Sequence, residues 1–464
     1  MGNKKLNGKM NRTKTSSLCH ILCVFFLLGL SFFELALAQV VRPYTVRYSV
    51  NQNGDIRLFG NTVMVCPAGD CPTSPNNSEV MQYIDVDSDP FTFNSSSADL
   101  DLPDGITVLW AGLYWGATTS AGSGGSSPPN ASIRDSIYFS TPALGGYVGL
   151  KATEDDAFGT LFSCFVDVTS FDKAGGDGTY MVGNIHGGWG IVVVYNDPSK
   201  PPRNLTVFDG YSNISGSNNL TLNVNGFITP LSGPVVTSLG SMAYEGDLPY
   251  LGDQYILNST NLSDAVNASN NVFNSSISSL GSHLLNRNPN ITNVLGFDID
   301  LLNADNILAN GATSASIELT TGGDQYLPCV SSFNTELYSP ILQSTKTYTD
   351  INGDDVNPGD TLIYTVSIDN VGDDPAIDVV LSDTIPDFTS YVPGTLEILT
   401  GFNSGVKSDA SGDDQAEYDA MDDVVVFRLC NGSDAINGGT MTNSEAITTL
   451  RFRVVVDNSV PDGT

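Results

Sequence analysis

The sequence predicts an all-β chain built from packed sheets, and two observations carry that prediction. Apolar and polar side chains alternate with a period of two along most of the chain, whereas no long 3.6-residue apolar period occurs beyond its opening segment; this is the pattern of sheets with one buried face. Clusters of Gly, Pro, Asn and Asp, such as residues 121–129 and 196–202, separate the apolar runs at the density of turns in β-sandwiches.

The opening segment belongs to export. Lys4, Lys5, Lys9, Arg12 and Lys14 precede an apolar run from Ile21 to Phe33 and the small-residue pattern Ala36-Leu37-Ala38. That order is a secretory signal with cleavage after Ala38. The apolar run is about thirteen residues, short of the roughly twenty that cross a bilayer as a helix. Residues 1–38 are therefore expected to leave, and the mature chain to be secreted or held on the outer cell surface.

Without residues 1–38, 14 of the 19 Lys+Arg and 50 of the 51 Asp+Glu remain, a net charge near −36. A field of that sign repels nucleic-acid phosphates and anionic lipid, so nucleic acid is excluded as a partner, and divalent cations are attracted. Solvated carboxylates that confer solubility account for the same composition. Five cysteines remain after cleavage. Cys66-Pro67-Ala68-Gly69-Asp70-Cys71 is the best disulfide candidate, since Pro67 and Gly69 allow a tight loop, and Cys164 with Cys329 is the second pair, leaving Cys430 over. With only His186 and His283 in the mature part, a zinc site is disfavoured.

In chain order, strands are expected at residues 106–114, 136–139, 147–152, 191–195, 205–208 and 220–224, then at 361–368, 376–381, 424–429 and 450–456. The clearest are 361–368, with Leu362, Tyr364, Val366 and Ile368 on one side, and 450–456, with Leu450, Phe452, Val454 and Val456 inward and Arg451 and Arg453 outward. One short helix is expected around residues 262–266, with Ser263 as its N-cap. The composition shifts near Tyr338-Ser339-Pro340. Residues 39–339 then form a large amino-terminal β-rich region of sandwich or jelly-roll type, either one domain or two. Residues 340–464, about 125 of them, have the size of an immunoglobulin-like β-sandwich.

Within that second part, several motifs follow in order: Thr345-Lys346-Thr347-Tyr348-Thr349-Asp350-Ile351-Asn352-Gly353, Asn357-Pro358-Gly359-Asp360-Thr361-Leu362-Ile363-Tyr364-Thr365-Val366, Asp369-Asn370-Val371-Gly372, Val379-Val380-Leu381-Ser382-Asp383-Thr384-Ile385-Pro386 and Tyr391-Val392-Pro393-Gly394. From residue 341 to the end the chain thereby resembles the bacterial and archaeal conserved-repeat surface domain known as domain of unknown function eleven. The resemblance implies a seven-stranded immunoglobulin-like module, often in tandem on large cell-surface proteins, and brings no catalytic residues. Val460-Pro461-Asp462-Gly463-Thr464 looks like the run-in to that family's last strand, so the domain is expected to be truncated and to offer an unpaired edge for self-association. Ala111-Gly112-Leu113-Tyr114-Trp115-Gly116, Asp167-Val168-Thr169, Gly188-Trp189-Gly190-Ile191-Val192-Val193-Val194-Tyr195 and Asn271-Val272-Phe273-Asn274-Ser275-Ser276-Ile277 are similar to an uncharacterised amino-terminal region that precedes such repeats in secreted proteins of the Bacteroidetes and some other bacteria.

For chemistry, Asp350, Asn352 and Asp354 stand at alternate positions with Asp360 close by, an oxygen-ligand spacing that suits Ca2+ and equally suits an Asx-rich turn. The sixth position of the loop is Asp355 and the twelfth Thr361, so it is not an EF-hand. Trp115, Trp189 and Tyr211 are the candidate ligand-contact residues of a sugar-stacking face, although aromatics within apolar strand runs more commonly fill a core. Neither H-E-x-x-H, nor G-x-S-x-G, nor G-x-x-x-x-G-K-[ST] occurs. His186, in a Gly-rich stretch, could pair with Cys164 or a carboxylate. The functional expectation is a non-enzymatic, adhesin-like or structural surface protein that contacts an extracellular glycan or protein surface. Its rival is a secreted carbohydrate-active enzyme carrying a sandwich spacer.

Overall fold

The computed structural model describes residues 39–67, 71, 73, 75–76, 79–120, 131–216, 218–353, 355–372 and 374–459. The expected signal segment, Asp354 and the run-in at 460–464 lie outside the described residues. The chain is all-β; among the described residues the exceptions are one seven-residue α-helix, Thr169–Gly175, and a short 3-10 turn, Ala131–Ile133. No helix among them is long and apolar enough to cross a membrane.

One sheet of eleven strands runs through the first part. From one edge it passes through Ser282–His283, Ile277–Ser279, Phe297–Asn303, Thr237–Tyr244, Gln325–Glu336, Pro202–Ser215 and the 24-residue Gln39–Thr62. It continues through Gly188–Asn196, Thr107–Thr118 and Leu161–Asp167 to Glu154–Phe158. Its pairs are antiparallel except Ile277–Ser279 with Phe297–Asn303.

This sheet does not stay flat. Glycines on Gly188–Asn196 let its two halves fold face to face: a Cβ on Gly188 would sit 2.2 Å from the Phe297 ring, and one on Gly190 2.8 Å from Met242 Cε. The fold-over encloses Leu58, Tyr114, Val192, Val194, Met242, Phe297 and Ile299.

The outward face of one half is covered by a five-stranded sheet that includes Ser95–Leu100 and Gly178–Gly183, over Trp115, Phe139, Tyr180, Trp189 and Ile191. The outward face of the other half is covered by the four strands Asn219–Asn225, Ser314–Thr320, Gln254–Leu257 and Thr260–Asn261, over Tyr255, Ile317, Tyr326 and Phe333. The first part is thus two sandwiches that share one sheet, which is why no boundary inside residues 39–339 is legible in the composition.

The second part packs a six-stranded sheet against a four-stranded one. Leu362, Val366, Ile368, Val425, Phe427, Leu450, Phe452 and Val454 fill the space between them. Leu362 pairs with Val454 and Tyr364 with Phe452, so the two strands read most clearly in the sequence lie side by side. The joint falls where the composition shifts. Buried Asp374 accepts from the Leu231 and Ser339 amides, each at 3.1 Å, and the Tyr338 hydroxyl donates to the Pro375 carbonyl at 2.7 Å.

The expected strands are present, for instance Ser136–Ser140, Val148–Lys151, Asn219–Asn225 and Val424–Arg428. The expected helix at 262–266 is not: those residues are irregular, and it is Asp264, rather than Ser263, whose Oδ1 accepts the amides of Val266 and Asn267. A short polar cap closed a turn there, with too few residues after it to propagate a helix.

The true helix buries a charge instead. Asp172 is fully buried, and the adjacent Tyr180 hydroxyl donates to the Gly176 carbonyl, so neither carboxylate oxygen has a partner. Burial pushes the Asp172 carboxyl up to about 6 from its ordinary 3.8. In that interval the folded chain binds more protons than the unfolded one, so stability falls as pH rises through it. Asp172→Asn is therefore expected to raise Tm above about pH 6 and to flatten its dependence between about pH 4 and 6; a Tm series across that range checks both.

Candidate functional site

A cavity of about 220 Å3 opens where the folded-over halves of the large sheet meet. Four elements build it: the end of Gln39–Thr62 with the segment behind it, the end of Thr107–Thr118, the turn into Gly188–Asn196, and the turn from Val294 into Phe297–Asn303. Its wall is largely apolar, with Met64, Met81, Tyr83, Leu161 and Phe297, and its polar groups include Asn76, Glu79, His186 and Glu245.

Backbone geometry fixes the carboxylates. Glu245 has φ +67°, a left-handed conformation rare outside glycine, held by its amide donating to the Gly296 carbonyl at 2.8 Å. Gly296 itself has φ +87°, and a Cβ there would lie 2.5 Å from Asn76 Nδ2, so only glycine lets the Asn76 segment settle on this turn. Asn76 then donates from Nδ2 to Glu245 Oε2 at 3.1 Å and from its backbone to Asp247 Oδ1 at 2.6 Å. Burial holds the Glu245 carboxyl above its ordinary range, Asn76 opposes that in part, and Asp247 adds to it. His186 is 5% exposed, its ring stands edge-on to Phe162 at 5.6 Å, and its Nδ1 has no partner. Burial first, and Arg134 second, push the His186 imidazole down to about 4, so it is neutral near pH 7. The site therefore presents hydrogen-bond acceptors beside a neutral imidazole and aromatic walls.

Cys66 and Cys71 form the expected disulfide, next to the cavity. Glu79 comes within 3.8 Å of Cys66 Sγ, and this trio is the one set of three His, Cys, Asp or Glu side chains among the described residues that converges as metal ligands do. Sulfurs joined to each other carry no thiolate charge, so the disulfide and a metal site there exclude one another.

The remaining sequence-derived residues fare differently. Cys164 and Cys329 are not paired; both are buried free thiols, in different cores. Cys164 Sγ lies 3.6 Å from Asp155 Oδ1, while His186 Nδ1 is without a partner. Trp115, Trp189 and Tyr211 do not face solvent: each is 0% exposed, and the two indoles donate inward, to the Arg134 carbonyl and to Ser96 Oγ, both at 2.8 Å. A sugar-stacking role for these three is thereby corrected to core packing. Their strands are covered on both faces, which a period-two reading with one wet face does not anticipate.

In the acidic loop, Asp350 Oδ1 accepts the Asn352 amide at 2.9 Å, Asn352 Oδ1 the Thr361 amide at 3.0 Å and Asp360 Oδ2 the Asn357 amide at 2.7 Å, while Asp350 Oδ2 has no partner. These are the bonds of an Asx-rich turn. The cavity residues Asn76, Glu79 and Glu245 carried no sequence signal, because they meet from segments about 170 residues apart.

Searches against models of protein families and against curated proteins return no match for this chain.

Proposed function

We propose that this is a non-enzymatic, exported surface protein whose first part captures a small polyhydroxylated ligand, such as a terminal sugar of an extracellular glycan, and whose second sandwich projects it. The observation that carries the reading is the cavity, in which Tyr83 and Phe297 supply ring faces and edges while Asn76, Glu79 and Glu245 supply fixed acceptors. Aromatic walls with a few oriented polar groups are the usual make-up of a small-molecule site, and sugar hydroxyls are donors that suit carboxylate acceptors. Export is supported by the Cys66–Cys71 disulfide, which persists in oxidising spaces, and by the basic, apolar and small-residue order of residues 1–38. The resemblance of residues 341 onward to a repeat domain of cell-surface proteins supports the projecting role.

A glycan array with the mature chain tests this. Glu245→Gln keeps the shape and loses the charge-assisted acceptor, so bound signal is expected to weaken about ten-fold or more, consistent with roughly 1.5–3 kcal/mol for a hydrogen bond to a charged group. Binding that Glu245→Gln leaves unchanged would remove the cavity from the function. Release of reducing ends from a polysaccharide panel, abolished by Glu79→Gln or Glu245→Gln, would replace the binding reading with the enzymatic one.

A further inference from the structure

On the opposite side of the folded sheet, Phe297–Asn303 alternates its side chains between two cores. Phe297, Ile299 and Leu301 face one, while Asp298 and Asp300 point the other way with Leu302. Both aspartates are 0% exposed. Each has one oxygen engaged: Asp298 Oδ1 accepts the Ser276 amide at 3.1 Å, and Asp300 Oδ1 accepts Ser278 Oγ at 2.7 Å. The second oxygen of each has no partner.

The irregular segment that covers this face adds further acceptors. Asn274 is 8% exposed and donates from Nδ2 to the Val266 carbonyl at 3.0 Å, which leaves its Oδ1 buried without a donor. Over Gly246, the place a Cβ would take is bordered by Asp298 Oδ2 at 2.4 Å and the Phe273 carbonyl oxygen at 2.6 Å. Among the described residues, no Lys or Arg forms an ion pair with Asp298 or Asp300.

Two carboxylates one pleat apart, buried without a counter-charge, are unfavourable unless protons or a cation neutralise them. Protons answer only part of this: two protonated carboxyls offer two donors, and the amide oxygen of Asn274 and the Phe273 carbonyl compete for them with the carboxyls themselves. A cation neutralises both carboxylates at once, and the Phe273 carbonyl oxygen, which borders the same space beside Gly246 as Asp298 Oδ2, offers it a further oxygen. The donors are oxygens only, with neither imidazole nor thiol among them, so the set suits a hard cation. Strand carboxylates joined by amide and backbone oxygens of an irregular segment suit calcium better than magnesium, which demands a small octahedron and keeps its waters.

We propose that Asp298 and Asp300, completed by Asn274 Oδ1 and the Phe273 carbonyl, bind a calcium ion that locks the irregular residues 264–276 onto the large sheet. The site is distinct from the acidic loop at Asp350–Asp360, whose carboxylates largely accept that loop's own amides. It also stands independently of the ligand cavity, because its readout is the ion itself.

Terbium luminescence and equilibrium dialysis with Ca2+ on the full chain, with thermal melts in Ca2+ and in chelator, test it. Asp298→Asn and Asp300→Asn are near-isosteric and relieve the like-charge repulsion, so both are expected to fold. At free Ca2+ one hundred times its Kd, the parent's unfolding equilibrium constant is expected to fall about a hundred-fold. Each of the two variants is expected to lose that response, whereas Asp350→Asn with Asp360→Asn keeps it. Identical parent melts in Ca2+ and chelator with no bound ion overturn the proposal. So does a calcium response that survives Asp298→Asn and Asp300→Asn and disappears in the loop variant.

Discussion

Trp189→Ala is expected to destabilise the first part by about 3–5 kcal/mol, the range for truncating a fully buried large aromatic. The side chain has no exposed surface, meets Phe59 edge-on with ring centroids 6.4 Å apart and donates its indole N–H to Ser96 Oγ at 2.8 Å. Truncation therefore opens a cavity between the large sheet and its five-stranded cover and leaves the Ser96 hydroxyl without that partner. Domains of ordinary size are stable by only about 5–15 kcal/mol, so this is a large fraction of the whole. The urea midpoint should drop and Tm fall by roughly 10 °C. Trp189→Phe, which keeps most of the volume, should recover over half of the loss. A surface-exposed sugar platform would behave oppositely, with an unchanged midpoint and weaker glycan binding.

Asp209→Ala is expected to be comparably damaging for an electrostatic reason. Asp209 has 0% exposure, accepts from Arg42 Nη1 at 3.2 Å and Arg47 Nε at 2.8 Å, and receives the Tyr114 hydroxyl at 3.2 Å. Arg42 also bonds Asp156 at 2.7 Å, so one buried carboxylate holds two guanidinium groups against the strands Pro202–Ser215 and Glu154–Phe158. Burial opposes the Arg42 charge, and the bonds to Asp156 and Asp209 more than restore it. Removing the central anion strands partly buried cations, and breaking such a buried pair is worth about 3–5 kcal/mol. Here the pairing along Gln39–Thr62 is interrupted by register shifts between Val40 and Tyr48, so the loss should appear first as faster amide exchange over residues 39–48. Exchange in the core strand Gly188–Asn196 should change little until global unfolding is reached.

Much of the architecture was legible in the sequence because one mechanism wrote it. A period-two pattern with one buried face places Leu450, Phe452 and Val454 inward and Arg451 and Arg453 outward, and the structure pairs them across from the alternation at Leu362–Tyr364–Val366. The disulfide between Cys66 and Cys71 was equally local, a matter of five positions in a loop with Pro67 and Gly69. Legibility stopped where a strand served two cores. On Thr107–Thr118, Leu113 and Trp115 face one core while Trp110 and Tyr114 face another, so alternation no longer distinguishes wet from dry and the aromatics read as candidates for either. Cys164 and Cys329 failed as a pair for a related reason: parity of cysteines says nothing about which side of a sheet each thiol occupies.

The sequence by itself determined the all-β class, the ten strands named from their alternation, the joint near residues 338–340 and the acidic balance, because these depend on neighbours a few residues apart; it did not reveal Gln39–Thr62, Thr237–Tyr244, Phe297–Asn303 or Gln325–Glu336, central strands of the large sheet. The tertiary structure alone decided that one sheet folds over itself, that Trp115, Trp189 and Tyr211 are core, and that Asn76 meets Glu245 while Asp298 and Asp300 are sealed beneath residues 264–276. Those features arise from contacts between segments far apart in the chain, and burial on both faces is a property of the sheet's neighbours, which no local period encodes.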